Sequence, residues 1–132
     1  MPNTIAEYYT DELVDWNNAI VFYNNEMDEF DHKLAEVISR NSIVGIAEKV
    51  EAHQSLLNKV SEKFYKLEME IQQQETALKT DSMLIDNASI NDTIEKRQME
   101  LRSKIQAAEK EYIDIKFGCY NFLSDTLRKK KD

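Results

Sequence analysis

The chain has 132 residues, 42% of them hydrophobic and 32% charged, with a formal net charge of −8. That balance and length point to one globular domain spanning the whole sequence and exclude a disordered segment. Two glycines and one proline are too few for an all-β protein, which needs turn residues about every 8–12 positions. The longest uninterrupted apolar runs, Ala19 to Tyr23 and Ile43 to Ala47, fall far short of the ~20 residues a spanning helix needs. No charged-then-apolar leader follows Met1, so neither a membrane span nor a signal peptide is expected. The single cysteine, Cys119, has no partner for an internal disulfide, and a cytoplasmic setting is the default.

Apolar residues from the N-terminus fall at Ala6, Tyr9, Leu13, Trp16, Ile20, Tyr23, Met27, Phe30, Leu34 and Val37. The alternating three-and-four spacing is the seam of a coiled coil. Thr4 and Glu7 have the capping-box form, so the first helix is predicted over about 5–40, with Asn41-Ser42 as its stop. A second seam runs through Ile43, Ile46, Val50, His53, Leu57, Val60, Phe64, Leu67, Ile71, Gln74 and Leu78, predicting a helix over about 43–79 whose first turn Gly45 weakens. Residues 80–91 read as a loop, with Met83-Leu84-Ile85 folding back over the bundle end.

The third seam is Ile94, Gln98, Leu101, Ile105, Ala108, Tyr112, Ile115, Cys119, Phe122 and Thr126. It predicts a helix over about 91–128, capped by Asn91 or Asp92, with Gly118 as a weak point and the cations Arg128 to Lys131 complementing the C-terminal dipole. Three helices of this length with short connections imply an all-α, antiparallel, up-down-up three-helix coiled-coil bundle. A first turn centred near Asn41-Ser42 sets Val60 against Tyr23, Phe64 against Ile20 and Leu67 against Trp16; a second near Ile85 sets Ile105 near Phe64 and Leu67, and Tyr112 near Leu57. Within the seams only His53, Gln74, Gln98 and Thr126 are plainly polar, and a dry, closed core is expected.

Charge is unevenly spread. Residues 1–32 hold Glu7, Asp11, Glu12, Asp15, Glu26, Asp28, Glu29 and Asp31 and no Lys or Arg, while the rest of the chain carries equal numbers of acids and bases. Such a face repels nucleic acid and anionic lipid, both of which are bound through Lys and Arg, so neither is expected as a partner. It attracts a basic protein, or else it is neutralised by Lys49, Lys59, Lys63, Lys104 and Lys110 on the neighbouring helices.

Glu29 and His32 have the Glu-x-x-His spacing used by di-metal carboxylate bundles, but no second such pair exists and both positions face away from the seam, so no metal site is expected. His53 occupies a core position whose layer also holds Ile115 or Cys119. As a buried neutral histidine it should weaken the bundle on acidification. Gln74 and Gln98 should meet near the second turn, with Tyr9 as a possible third member, in a polar layer that selects register. His53, Gln74 and Gln98 are thus the core polar positions.

Several apolar residues fall outside the seams: Met99, Ile113, Phe117, Tyr120 and Leu123 on the third helix, Val14, Val21 and Phe22 on the first, with Ile38, Ile43 and Val44 near the first turn. A contiguous patch of such residues marks an association surface. The leading expectation is a non-enzymatic interaction protein that binds a protein partner or itself, as a homodimer, through Ile113, Phe117, Tyr120, Leu123, Ile43, Val44, Val14, Val21 and Phe22. A small acidic chaperone or adaptor is one form of it, and neither cofactor, metal nor small-molecule substrate is expected. The competing expectation is a metal carrier or enzyme built around His53, Cys119, Tyr112 and Gln98. It lacks a Gly-rich phosphate loop, a Cys-x-x-Cys pair and inward carboxylates.

Trp16, Phe22-Tyr23, Glu26-Met27, Phe30, Leu34 and Glu36-Val37, followed by Asn41 and Val50-Glu51-His53-Gln54, resemble a group of short bacterial helical-bundle proteins with no assigned activity. The resemblance covers about half the chain. It implies a bacterial cytosolic bundle and supplies no catalytic residues.

Overall fold

In a computed structural model of the chain, which describes residues 3–40 and 44–131 with side chains through Thr126, three long helices form an all-α bundle. Helix α1 spans Ile5–Arg40, α2 Ile46–Ala77 and α3 Asp92–Lys131. Each helix lies against the other two, with α1 and α3 the least closely apposed pair. Contacts between α1 and α3 climb together along both sequences, from Glu12–Arg102 through Tyr23–Glu109 to Glu26–Lys116, so these two helices run parallel and α2 returns between them. That is the up-down-up order the seams predict. Among the described residues, no helix is long and apolar enough to cross a membrane.

The heptad spacing explains the core. Every described seam residue is buried or half-buried, Tyr9, Trp16, Tyr23, His53 and Phe122 being the half-buried ones. Large aromatics form its middle: Tyr23 stacks on Phe64 with centroids 5.5 Å apart, and Tyr112 meets both, at 5.0 Å and 6.1 Å. Tyr23 therefore meets Phe64, one helical turn along α2 from Val60, and Tyr112 meets the same ring. The first shift is one helical turn, because α2 starts at Ile46 and the hairpin centre moves toward Gly45. The expected stop at Asn41-Ser42 lies outside the described residues.

Gly45 is not a weak first turn of α2 but the residue before it, held at φ 82°, a left-handed conformation that glycine adopts without penalty. Residues after α2 are not a plain loop. They form a two-stranded antiparallel ribbon, β1 Lys79–Thr80 with β2 Met83–Leu84, joined by Asp81 and Ser82, both at positive φ, as a tight two-residue hairpin requires. Of the apolar trio there, Met83 and Leu84 stay exposed and only Ile85 packs on the core.

The helix starts are held by specific caps. The Thr4 hydroxyl accepts from Glu7 N–H (3.2 Å), but the Glu7 carboxylate accepts from Asn3 N–H (3.0 Å), one residue earlier than a capping box would place it. Asn91 is the cap of α3, accepting from Ile94 N–H at 2.9 Å. Asn87, in the single 3-10 turn Asn87–Ser89, accepts from Ile5 N–H at 2.9 Å. The α2–α3 connection thereby caps α1, tying the start of α1 to the end of the rod where α2 leads into α3.

Helix α3 runs unbroken through Gly118, where an added Cβ would meet only His53 Cε1, at 3.9 Å. Gly118→Ala is therefore expected to raise stability by about 1 kcal/mol, and Gly45→Ala, forced into positive φ, to lower it by about as much. Urea unfolding of the two variants beside the parent checks both signs.

Candidate functional site

Three polar ties cross between α1 and α3. At the N-terminal end, Glu12 accepts two hydrogen bonds from Arg102, Nη2 at 2.6 Å and Nε at 2.9 Å, the bidentate form in which arginine binds carboxylate most strongly. Glu12 also accepts from Gln98 Nε2 at 3.2 Å, and the same nitrogen donates to the Tyr9 carbonyl at 3.1 Å. Below it, Gln74 Nε2 donates to Gln98 Oε1 at 3.0 Å and to the Ile94 carbonyl at 2.9 Å. Gln74 and Gln98 are both buried, while Gln74 Oε1 has no partner among the described residues. The expected Gln74–Gln98–Tyr9 layer thus extends to Glu12 and Arg102. Their position is visible in the sequence only as flanking charged residues beside Leu13 and Leu101, a place where coiled coils put interhelical ion pairs. The core is closed but not wholly dry of charge at this end.

Midway along the rod, the Tyr23 hydroxyl donates to Glu109 at 2.6 Å, and burial followed by that carboxylate pushes the phenol up to about 12. One turn further, Glu26 accepts from the Tyr112 hydroxyl at 2.9 Å and from Lys116 Nζ at 2.8 Å. Burial first, and Glu26 second, raise the Tyr112 phenol well above its usual value. Of the acids of α1, Glu12 is thus paired with Arg102 and Glu26 with Lys116, neither of them a lysine named in the expectation. Lys63 and Lys104 instead pair with Glu111 and Glu70 between α2 and α3.

His53 and Cys119 do share a layer, with Sγ 3.9 Å from Nδ1, and the imidazole lies against Phe122 at 4.8 Å between centroids. Burial pushes the Cys119 thiol up to about 11, with Asp31 adding to the effect, and burial lowers the His53 imidazole from 6.5. Both shifts favour neutral thiol and neutral imidazole. A cysteine nucleophile needs the opposite, a thiolate beside a cation. Asp31 itself is half-buried and held above the usual carboxylate value by burial and then by Asp28; the seam reading placed no acid in this layer because Asp31 lies just beside Phe30. Glu29 and His32 are both exposed, and no cluster of three metal-ligating side chains occurs among the described residues.

Open grooves run between neighbouring helices. One of about 260 Å³ between α1 and α2 is lined by Asn24, Asp28, Asp31, Asn58, Ser61 and Tyr65 among others. One of about 300 Å³ between α2 and α3 has Leu67, Ala107 and Ala108 as its floor and Lys63, Lys66 and Lys104 on its rim. Neither is lined by His53 or Cys119.

The apolar residues outside the seams divide by face. Asn24 donates to Glu68 on α2 and Lys63 on α2 pairs with Glu111, so α2 lies beyond Asn24 on α1 and beyond Glu111 on α3. Phe22 and Ile113, on the other sides of Tyr23 and Tyr112, therefore border the α1–α3 seam on the surface turned away from α2. Phe117 and Tyr120 continue the Ile113 column at helical spacing. These four are exposed, Phe22 by 58%, Ile113 by 44%, Phe117 by 60% and Tyr120 by 47%. Tyr120 also covers the edge of Phe30, with centroids 5.0 Å apart. They form one ridge.

The other residues expected in the patch do not join it. Leu123 is only 8% exposed and belongs to the core, since it sits one residue beyond the half-buried seam position Phe122 and turns toward the bundle in its place. Val14 and Val21 are exposed but lie about a quarter turn or more around α1 from Phe22. Val44 is 98% exposed at the α1–α2 turn, and Ile43 lies outside the described residues.

The chain matches no protein-family model, and comparison with curated proteins and with solved structures gives no match either.

Gln98→Leu alone removes a donor from Glu12 and an acceptor from Gln74, and should cost about 1–2 kcal/mol. Gln74→Leu/Gln98→Leu removes both ends of the amide pair and should melt at or above the parent temperature. Calorimetry of both variants and the parent decides, and a double variant less stable than the single one contradicts it. For His53 the lowered value fixes the sign of the pH dependence. Above pH 6.5 the ring is neutral in folded and unfolded chains alike and stability is full. As pH falls below that value the unfolded chain takes the proton first, and stability is lost until the folded ring protonates as well. His53→Leu should therefore lose less melting temperature than the parent between about pH 7.5 and about pH 5.

Proposed function

We propose that this protein is a non-enzymatic interaction module: a rigid helical rod that binds a protein through the ridge of Phe22, Ile113, Phe117 and Tyr120. The observation that carries this reading is the exposure of four large apolar side chains on one surface of a bundle whose core is otherwise filled. Each exposed side chain of this size forgoes about 1.5–3 kcal/mol of burial, and their grouping at one seam is what distinguishes an association surface from scattered apolar residues. Asp11 and Asp15, exposed on the Phe22 column nearer the start of α1 and in no ion pair among the described residues, add a preference for a basic partner. A small acidic adaptor or assembly chaperone working in the cytoplasm, where a free thiol such as that of Cys119 persists, fits these features.

Phe117→Glu places a charge in the middle of the ridge without touching the core. The parent protein should self-associate in light scattering over a wide concentration range, or retain a protein from a cell extract in affinity capture, and Phe117→Glu should do neither. Parent and variant behaving alike in both experiments would contradict the assignment of the ridge.

A further inference from the structure

Resting on that reading of the ridge, we infer that its occupant is an amphipathic helix of a partner protein, lying along the α1–α3 seam on the side away from α2 and carrying apolar and basic residues in alternation at seven-residue spacing.

Two columns of exposed side chains flank this seam. On α1 the seven-residue spacing runs through Tyr8, Asp15, Phe22 and Glu29. On α3 it runs through Met99, Gln106, Ile113 and Tyr120. Residues seven apart on a heptad helix return to the same face, so each column is a line along the rod. Glu12–Arg102, Tyr23–Glu109 and Glu26–Lys116 place an α3 residue level with the α1 residue about 88 positions earlier. Met99 is therefore within one turn of the level of Tyr8, Gln106 of Asp15, Ile113 of Phe22 and Tyr120 of Glu29. A small pit lined by Glu26, Glu29, Phe30, Lys33 and Tyr120 sets the last of these pairs side by side. The face is thus a stack of layers about 10 Å apart. The first and third are apolar on both helices, the second and fourth carry an acid on α1, and Phe117 stands between the third and the fourth.

That repeat selects the shape of the occupant. Side chains on one face of an extended strand recur about every 6.6 Å and miss alternate layers, whereas a helix presents one face every seven residues, the same ~10 Å. The α1–α3 pair is the least closely apposed of the bundle, so a further helix enters there, opposite α2, as the fourth member of a four-helix arrangement. Charge selects its sequence. Asp15 and Glu29 are exposed and in no ion pair among the described residues, and no Lys or Arg occurs in residues 1–32. A helix laid over them takes water from both carboxylates, a cost that Lys or Arg at the matching positions offsets and that an acid there increases. Apolar residues one heptad before and after each base meet Tyr8 with Met99 and Phe22 with Ile113.

A synthetic peptide of four heptads tests this: an Ala/Gln helix with Leu pairs in the first and third heptads and Arg pairs in the second and fourth, fluorescently labelled and titrated with the full chain by anisotropy. A scramble of the same composition and a version with Glu in place of Arg are the controls. The Arg peptide is expected to bind, more weakly as salt is raised, and the two controls are not. Phe22→Ser/Ile113→Ser and Asp15→Lys/Glu29→Lys should each raise its Kd about tenfold or more. Glu51→Lys/Glu62→Lys, the same charge change at exposed positions of α2, should alter it by no more than about twofold. An Arg peptide that binds no better than its scramble, that is indifferent to Phe22→Ser/Ile113→Ser, or that Glu51→Lys/Glu62→Lys weakens as much as Asp15→Lys/Glu29→Lys does, overturns the inference. A loss of self-association or capture in Phe117→Glu upholds the ridge even then. Failure of the peptide together with identical behaviour of the parent and Phe117→Glu overturns both.

Discussion

The alignment of all three helices depends on the polar cluster near one end of the rod, where Glu12 grips Arg102 and Gln98, and Gln98 in turn holds Gln74. Apolar layers in a heptad bundle are nearly interchangeable. Sliding one helix by seven residues still sets apolar against apolar, at a small loss of fit. The cluster has no such alternative, because a buried amide or a half-buried carboxylate displaced by one heptad loses its partners and keeps its desolvation cost. The salt bridge itself is partly exposed, with side chains 18% and 35% accessible, so its Coulomb attraction is screened. Its main contribution is geometric, since the bidentate fork allows one level of α1 against α3. The Gln74 amide then extends the same constraint to α2.

Fold class and core were legible because they rest on a single repeated signal. Three-and-four spacing held over each helix decides which residues are inside, and it needs no knowledge of what they meet. Even the Gln74–Gln98 contact follows from it, since two amides in the seam flanking one turn have only each other. What the spacing does not determine is the level of one helix against the next, and there the Tyr23 neighbour differs from expectation. That error traces to the turns. The left-handed Gly45 ends the α1–α2 connection three residues later than the resumption of the apolar seam implies, and the Asp81-Ser82 hairpin turns a stretch that composition alone reads as irregular. Both features are set by backbone dihedrals at single residues, which leave almost no trace in a hydrophobic pattern.

The same limitation explains the patch. Seam spacing marks Phe22, Ile113, Phe117 and Tyr120 as surplus, but sorting surplus residues into one face or several requires knowing on which side of each helix its neighbours lie. Leu123 shows how small the difference is. It stands next to Phe122 in sequence, yet Phe122 is the half-buried one and Leu123 the buried one. Val14 and Val21 fail in the other direction, being apolar and exposed but turned away from the ridge.

Charge and shape are coupled along the α1–α3 seam. Most ties there set an acid of α1 or α3 against a donor from the opposite helix: Glu12 against Arg102, Glu109 against Tyr23, Glu26 against Tyr112 and Lys116. These long polar side chains bridge the two helices that approach least closely, doing at the rim what small apolar residues would do at a tighter contact. Phe22, Ile113 and Phe117 stand exposed on the outer lip of this seam. The ridge therefore follows the line along which α1 and α3 are joined, with the polar ties inside and the apolar lip outside.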